Sequence, residues 1–87
     1  MAVTSTSILA YQEIIESLGK RQIEVLKALK QIEPANNRII AQFMHKPINC
    51  VTPRCQELRK KGLIKEERID LDKVTNRQTI YWRTNLK

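Results

Sequence analysis

The chain has 87 residues, of which 41% are hydrophobic and 29% are charged, so it suits one small globular domain and is not disordered. No apolar run reaches the roughly 18 residues that a membrane-spanning helix needs. The N-terminal sequence "MAVTSTSILAYQEII" lacks the basic leader and the long apolar block of a signal peptide. We therefore expect a soluble, cytoplasmic protein.

The formal net charge of +7 is unevenly distributed along the chain. Residues 1–35 contain four basic and four acidic side chains, whereas residues 36–87 contain twelve basic and five acidic ones. This asymmetry predicts one half that packs and another half that faces a polyanion. A basic surface that only keeps the protein in solution is the simpler alternative.

Two helices are predicted in the first half. Residues 5–18 carry apolar side chains at helical spacing, with Ser5, Thr6 or Ser7 as the cap and Gly19 as the terminator. These apolar side chains are Ile8, Tyr11, Ile14, Ile15 and Leu18. A second helix follows over residues 20–32, with Val25, Leu26, Leu29 and Ile32 on one face. Pro34 ends it, because proline pushes the preceding residue towards extended geometry.

Two further helices and a turn come next. Asn36 or Asn37 caps a short third helix, "NRIIAQFMH", whose predicted inward side chains are Ile39, Ile40, Phe43 and Met44. After the turn "KPI", Asn49 or Thr52 caps a fourth helix that ends near Lys61, with Gly62 as the stop.

The remaining sequence predicts a β-hairpin. "LIKEERIDL" and "QTIYWRT" alternate in part between apolar and polar residues, and "DKVTN" between them contains the turn formers Asp72 and Asn76. The expected fold is therefore α+β, mainly α with a small antiparallel hairpin. We expect one domain over residues 1–87, divided into an N-terminal helix (1–19), a helical core (20–62) and a hairpin (63–84).

The fourth helix has two distinct faces when its residues are advanced by about 100° each. Val51, Cys55, Leu58 and Gly62 fall in one sector, which we expect to face the core. The opposite side carries Asn49, Pro53, Gln56 and Lys60, and the flanks carry Thr52, Arg54, Arg59 and Lys61. The inward sector is small and apolar, while the outward side offers amides and cations.

The two cysteines do not predict a metal site. Cys50 and Cys55 lie about 140° apart around the helix, so they cannot bond to each other or clasp one ion without unwinding it. Zinc sites need four ligands, and His45 is the only histidine of the chain. We interpret Cys55 as a small buried apolar residue. A redox role for Cys50, near the helix start, is a minor alternative.

A short helix, a turn and a second helix with a polar, cationic outer face are typical of a helix-turn-helix. Such a helix fits the major groove of DNA, where arginine pairs with guanine and asparagine or glutamine pairs with adenine. The hairpin loop, with Lys73, Asn76 and Arg77, would reach the DNA backbone or the neighbouring minor groove. Backbone amides at the start of the third helix favour a phosphate.

The segment "NNRIIAQFMHKPINCVTPRCQELRKKGLI", followed by a charged hairpin that ends in "TIYWR", resembles winged helix-turn-helix DNA-binding domains. It is most similar to the multiple-antibiotic-resistance-regulator-like type and to small single-domain bacteriophage proteins, with "PIN-VTPR--ELRKKGLI" as the most specific part. The resemblance covers roughly residues 20–83. It places Asn49, Thr52, Pro53, Arg54 and Gln56 on the DNA-reading helix and residues 73–77 at the wing tip. Cysteines at two variable positions and a wing turn without glycine depart from the usual pattern.

The resulting hypothesis is binding of double-stranded DNA without a cofactor, by a transcriptional regulator in a bacterium or a phage-infected host. The predicted DNA-binding residues are Asn36, Asn37, Arg38, Asn49, Thr52, Pro53, Arg54, Gln56, Lys60, Lys73, Asn76 and Arg77. A protein-interaction module is the alternative function. For the N-terminal helix, a homodimer contact is the alternative to packing on the core of its own chain. We predict no enzyme, because the chain has no phosphate-binding glycine loop and no nucleophile elbow.

Overall fold

The computed structural model describes residue 13 and residues 15–85. They form three α-helices, one 3-10 turn and a two-stranded antiparallel hairpin, which confirms the predicted α+β class. In chain order the elements are α1 (Lys20–Ile32), α2 (Asn37–Met44), the 3-10 turn η1 (Ile48–Cys50), α3 (Thr52–Lys60), β1 (Ile64–Asp72) and β2 (Arg77–Thr84). None of the helices in this described part is long and apolar enough to span a membrane.

The predicted N-terminal helix over residues 5–18 lies mostly outside the described residues. At its C-terminal end, Leu18 is buried and Ile15 packs against the core. Gly19 is extended and immediately precedes α1, and its N–H donates to Oε1 of Gln22 over 3.2 Å. Gly19 thus separates the two segments, as expected from the sequence.

The bounds of α1 agree with the prediction. The helix ends at Ile32, and Glu33 adopts an extended conformation before Pro34. An extended conformation is expected there, because a proline ring clashes with the preceding residue when that residue is helical. Four of its side chains are buried and form the centre of the core: Val25, Leu26, Ala28 and Leu29.

The start of α2 is fixed by Asn36, the first of the two candidate caps. Its Oδ1 accepts a hydrogen bond of 2.8 Å from the Ile39 N–H, which satisfies one of the free amides at the helix start. Ile40 and Ala41 form the buried face. The prediction that Phe43 faces inward is wrong, since it is 44% exposed. It lies about 110° around the helix from the middle of the Ile40–Ala41 face.

The start of α3 differs from the prediction. Neither Asn49 nor Thr52 is its cap, because η1 leads the backbone directly into the helix and Val51 takes the cap position. Pro53 is the second helical residue and has no N–H to satisfy. Thr52 begins the helix, and its hydroxyl donates to the Ile48 carbonyl over 3.2 Å.

The predicted inward sector of α3 is confirmed for three of its four residues, and Gly62 is the exception because it is exposed. Val51, Cys55 and Leu58 are fully buried, and burial raises the pKa of the Cys55 thiol to about 12. The helix ends in a Schellman motif, in which the Gly62 N–H donates to the Arg59 carbonyl and the Leu63 N–H donates to the Leu58 carbonyl. Gly62 has a φ of 77°, in the left-handed region.

The hairpin pairs Ile64 with Thr84 at its base and Asp72 with Arg77 at its loop, with a bulge between Glu66 and Arg68. Residues 73–76 form the hairpin loop. Asn76 adopts a φ of 59°, a left-handed conformation that asparagine tolerates better than most residues. It therefore takes the place of the glycine that this turn lacks.

A third, one-residue partner extends the hairpin on the side of β2. Ala35, between α1 and α2, exchanges two backbone hydrogen bonds with Trp82, of 3.1 and 2.8 Å. Trp82 is 2% exposed and packs in the core. The base of the hairpin is therefore joined to the helices by both backbone pairing and apolar packing.

Gly62→Ala should lower the free energy of unfolding by about 1 kcal/mol, because an L residue is strained at positive φ. The cause would be backbone conformation alone, since no atom lies within 4 Å of an added Cβ. Gly62→Asn should lose clearly less, because asparagine is enriched in this region. Urea unfolding monitored by circular dichroism measures both variants. Equal losses would contradict this account of the helix end.

Candidate nucleic-acid interface

The outer face of α3, with the neighbouring η1, is open to solvent. Asn49, Pro53, Gln56 and Lys60 are all exposed, opposite the side chains that α3 buries. Lys60 and its neighbour Lys61 form no ion pair with any described residue. This surface therefore presents the amides of Asn49 and Gln56, with the cations of Lys60 and its flanking neighbour Lys61. Amides and cations are the groups that contact base edges and phosphates.

The hairpin loop is a second exposed, basic element. Lys73, Asn76 and Arg77 are exposed, and Val74 at the tip is 72% exposed. Within the described part of the chain, neither Lys73 nor Arg77 forms an ion pair. Both charges are thus available to an anionic ligand.

A groove of about 630 Å³ lies between these two elements. The start of α2, η1 and α3 form one wall, and the hairpin forms the other. Gln56 contributes from α3, and Arg77, Ile80 and Trp82 contribute from β2. The outer face of α3 and the hairpin loop consequently border one concave surface.

Asn36, which the sequence predicts as a DNA-binding residue, makes structural contacts in this fold. Its side chain is buried, with 1% of the residue exposed. In addition to capping α2, its Nδ2 donates to Oδ2 of Asp72 over 3.1 Å and to Oγ1 of Thr79 over 3.0 Å. Both donors of Nδ2 and one acceptor position of Oδ1 are thus used within the protein.

Arg38 is joined to the hairpin by a buried carboxylate. Its Nε donates to Oδ2 of Asp72 over 2.6 Å, and Asp72 is 1% exposed. The hydrogen bond from Arg38 holds the pKa of Asp72 down at about 2, and the same bond raises the pKa of Arg38. A second guanidinium nitrogen donates to Gln42 over 2.9 Å. The guanidinium of Arg38 is therefore engaged in contacts within the protein.

Asn37 connects the hairpin with α3. Its Oδ1 accepts a hydrogen bond of 2.8 Å from Nε1 of Trp82, and its Nδ2 donates to Oγ1 of Thr52 over 3.4 Å. The three consecutive residues that sequence reasoning assigned to DNA thus hold the two exposed elements together. Thr52, also predicted to bind DNA, is half-buried within the same network.

Arg54 lies on the flank of α3 that faces α1. Its guanidinium pairs with Oε2 of Glu57 at 2.8 Å, and Oε1 of Glu57 accepts from Nε2 of Gln22 over 2.7 Å. The Gln22 hydrogen bond, followed by the charge of Arg54, lowers the pKa of Glu57. The predicted role of Arg54 in base reading therefore competes with an internal contact.

The cysteines and the carboxylates form no common site in the described residues. Cys50 is an exposed thiol in η1, and Cys55 is a buried one in α3. Nowhere in the described ranges do three His, Cys, Asp or Glu side chains converge in a way that could hold a metal ion. The chemistry that this surface offers is hydrogen bonding and positive charge.

No known protein-family model matches this chain, and no curated protein sequence matches it either. Its function must therefore be inferred from the geometry and charge of the described residues.

The Asp72 carboxylate should stabilise the fold most above pH 4. Its pKa in the folded protein is about 2, against an ordinary value of 3.8, so its contribution is complete above the ordinary value and is lost as the pH falls towards 2. We expect the stability difference between the wild type and Asp72→Asn to shrink between pH 5 and pH 2. Urea midpoints at several pH values measure it. A constant difference would exclude the charged contact as its cause.

Proposed function

We propose that this chain binds double-stranded DNA as a winged helix-turn-helix protein that regulates transcription in a bacterium or a bacteriophage-infected cell. The proposal places the outer face of α3 in the major groove and the hairpin loop, as the wing, against the backbone or the adjacent minor groove. Its main support is the exposed surface formed by Asn49 in η1 and by Pro53, Gln56 and Lys60 in α3, a helix that buries Cys55 and Leu58 on its opposite side.

The distribution of ion pairs gives the second support. Five arginines in the second half of the chain form ion pairs with carboxylates. In chain order their partners are Asp72, Glu57, Glu66 and Asp70, and the fifth arginine pairs with both Glu33 and Glu67. These arginines are Arg38, Arg54, Arg59, Arg68 and Arg83. Several lysines on the same half have no such partner among the described residues, and neither does Arg77. The acidic groups are thus engaged with arginines, which leaves these lysines and Arg77 as unpaired positive charge for phosphates.

The exposed side chains also suggest which residues would select a sequence. Gln56 is exposed on the middle of the outer face, and its amide can pair with both N6 and N7 of adenine. Arg77 is the arginine outside every ion pair in the described part of residues 36–85, and its planar guanidinium suits guanine or a narrow minor groove. We therefore assign sequence selection to Gln56, Lys60 and Arg77 before Arg54.

Binding to a random-sequence duplex should weaken steeply as salt rises, because each neutralised phosphate adds about 0.9 to the slope of log affinity against log salt. Lys73→Ala should reduce this slope by about 1 for every sequence alike. Lys27→Ala is the matched control, since it removes the same charge from the exposed side of α1. Fluorescence anisotropy at several salt concentrations measures the slopes. Binding that does not depend on salt would contradict the proposal.

Gln56→Ala should cost about 1–3 kcal/mol of discrimination between the preferred site and a random duplex. Its affinity for random duplex should be unchanged, because the amide contacts bases and not phosphates. The preferred site comes from selection of bound oligonucleotides with the wild-type chain. An unchanged ratio of the two affinities would show that this face of α3 does not read the sequence.

Exposed apolar side chains on the hairpin favour a second candidate function, a protein-interaction module. Ile69 is 65% exposed and Leu71 is 41% exposed on β1, and neither belongs to the basic surface. Sedimentation without DNA would test self-association, including the homodimer predicted through the N-terminal helix. A DNA-independent dimer that Ile69→Ser dissolves would support this alternative.

A further inference from the structure

The point where β1 meets the hairpin loop is held by one carboxylate. Oδ2 of Asp72 accepts from Nε of Arg38 over 2.6 Å and from Nδ2 of Asn36 over 3.1 Å, while Oδ1 accepts from the Val74 N–H over 3.0 Å. The Asp72 carbonyl oxygen also accepts a 2.7 Å hydrogen bond from the Asn76 N–H. A single residue therefore orders the loop and joins it to the start of α2.

The start of α2 is in turn bonded to α3. Asn37, between the two partners of Asp72, donates to Thr52 at the first position of α3. Side-chain hydrogen bonds at both ends, joined by the backbone of residues 36–38, thus connect the loop to the helix that carries Gln56 and Lys60. This connection crosses the base of the groove and does not use the exposed face of either element.

We propose that Asp72 is a positioning residue, which sets the wing loop at a fixed distance from α3 so that both elements contact one DNA duplex together. This inference rests on the proposed function. Asp72 itself is buried and contacts no DNA. It acts through Lys73 and Arg77, whose charges it aligns with the outer face of α3.

Among the described residues, the loop end of the hairpin has few contacts with the helices besides those of Asp72, and one of these is the 3.0 Å hydrogen bond from Nδ2 of Asn36 to Oγ1 of Thr79. The loop side chains are exposed, Val74 is 72% exposed, and the apolar packing of the hairpin is concentrated at Trp82, near its base. A loop held only by its turn would sample many positions, and ordering it on binding would cost affinity. Hydrogen bonds to a buried carboxylate are charge-assisted and poorly screened by salt, so they restrain the loop beforehand.

Asp70 supplies a matched control on the same strand. Its carboxylate is exposed and pairs with the exposed Arg68 at 3.2 Å, a contact that solvent screens. Asp70→Asn and Asp72→Asn remove the same charge two residues apart. Only Asp72→Asn removes the charge and one of the two acceptors from the contact between the loop and α2. An effect shared by both variants would therefore reflect the loss of one negative charge from the hairpin and not the loss of that contact.

The first experiment measures the position of the loop without DNA. One spin label is attached to the exposed Cys50 and a second to Thr75→Cys in the loop, while Cys55 is buried and unreactive. Pulsed dipolar spectroscopy then gives the distribution of distances between them. We expect a narrow distribution for the wild type and Asp70→Asn, and a distribution at least twice as wide for Asp72→Asn. Equal widths in all three proteins would overturn the inference.

The second experiment measures the consequence for DNA. Asp72→Asn should lower the salt slope of duplex binding towards that of the Lys73→Ala/Arg77→Ala double variant. The decrease should be up to roughly 1.8, because each of the two cations displaces counterions from the duplex, whether it lies at a phosphate or in a groove. Added to that double variant, Asp72→Asn should weaken binding less than about two-fold, since the residues that it positions are gone. A purely structural role predicts that Asp72→Asn leaves the salt slope unchanged and that it reduces affinity by the same factor in the wild type and in the double variant. That result would overturn the inference.

Two controls separate the outcomes. Circular dichroism melts show the temperature at which each variant is folded, and all measurements are made well below it. If Asp72→Asn does not fold, Arg38→Lys takes its place, because it keeps the charge and loses the Nε donor that Asp72 accepts. A wild-type chain that binds no duplex would refute the proposed function, while the distance measurement would still decide whether Asp72 positions the loop.

Discussion

The buried carboxylate of Asp72 is the interaction on which the arrangement of the exposed elements depends. Among the contacts that attach the hairpin to the helices, those at its base and those at its loop end differ in kind. Its base is held by Trp82, through apolar packing and the backbone bridge to Ala35, whereas its loop end is held by polar contacts with Asn36 and Arg38. Loss of a partner from a buried charge strongly destabilises the fold. The polar contacts at the loop end therefore require one geometry, whereas apolar packing would accept several.

The need for directional contacts to carboxylates explains why the chain uses its arginines and lysines differently. Arginine suits structural pairing because its planar guanidinium makes directional contacts with carboxylates, while lysine carries a strongly hydrated point charge on a flexible stem. In the second half of the chain, most arginines have carboxylate partners, and lysines such as Lys60 and Lys73 have none among the described residues. A count of positive charges alone would therefore overestimate the number of groups that are free to bind a polyanion.

Local signals in the sequence predicted the elements well. Pro34 and Gly62 ended their helices because they act on the adjacent backbone, and the period of Val51, Cys55 and Leu58 identified the buried face of α3. The roles of residues 36–38 could not be predicted in the same way. Their partners in the hairpin lie 34 to 45 positions away in the chain. Asparagine or arginine at a helix start looks the same in the sequence whether it contacts a phosphate or a carboxylate. The cap of α3 was missed because a 3-10 turn replaced the side chain that usually supplies it.

The bulge between Glu66 and Arg68 has a consequence for the chain at high concentration. Among the described residues β1 pairs only with β2, so the other edge of this nine-residue strand presents unsatisfied backbone groups to its surroundings. Long, flat edges of this type act as templates on which further strands add and fibrils grow. An extra residue in the middle increases the local twist and interrupts the ladder, and the neighbouring charges of Lys65, Glu67 and Arg68 further oppose stacking. The bulge thus disfavours polymerisation of the protein through the free edge of β1.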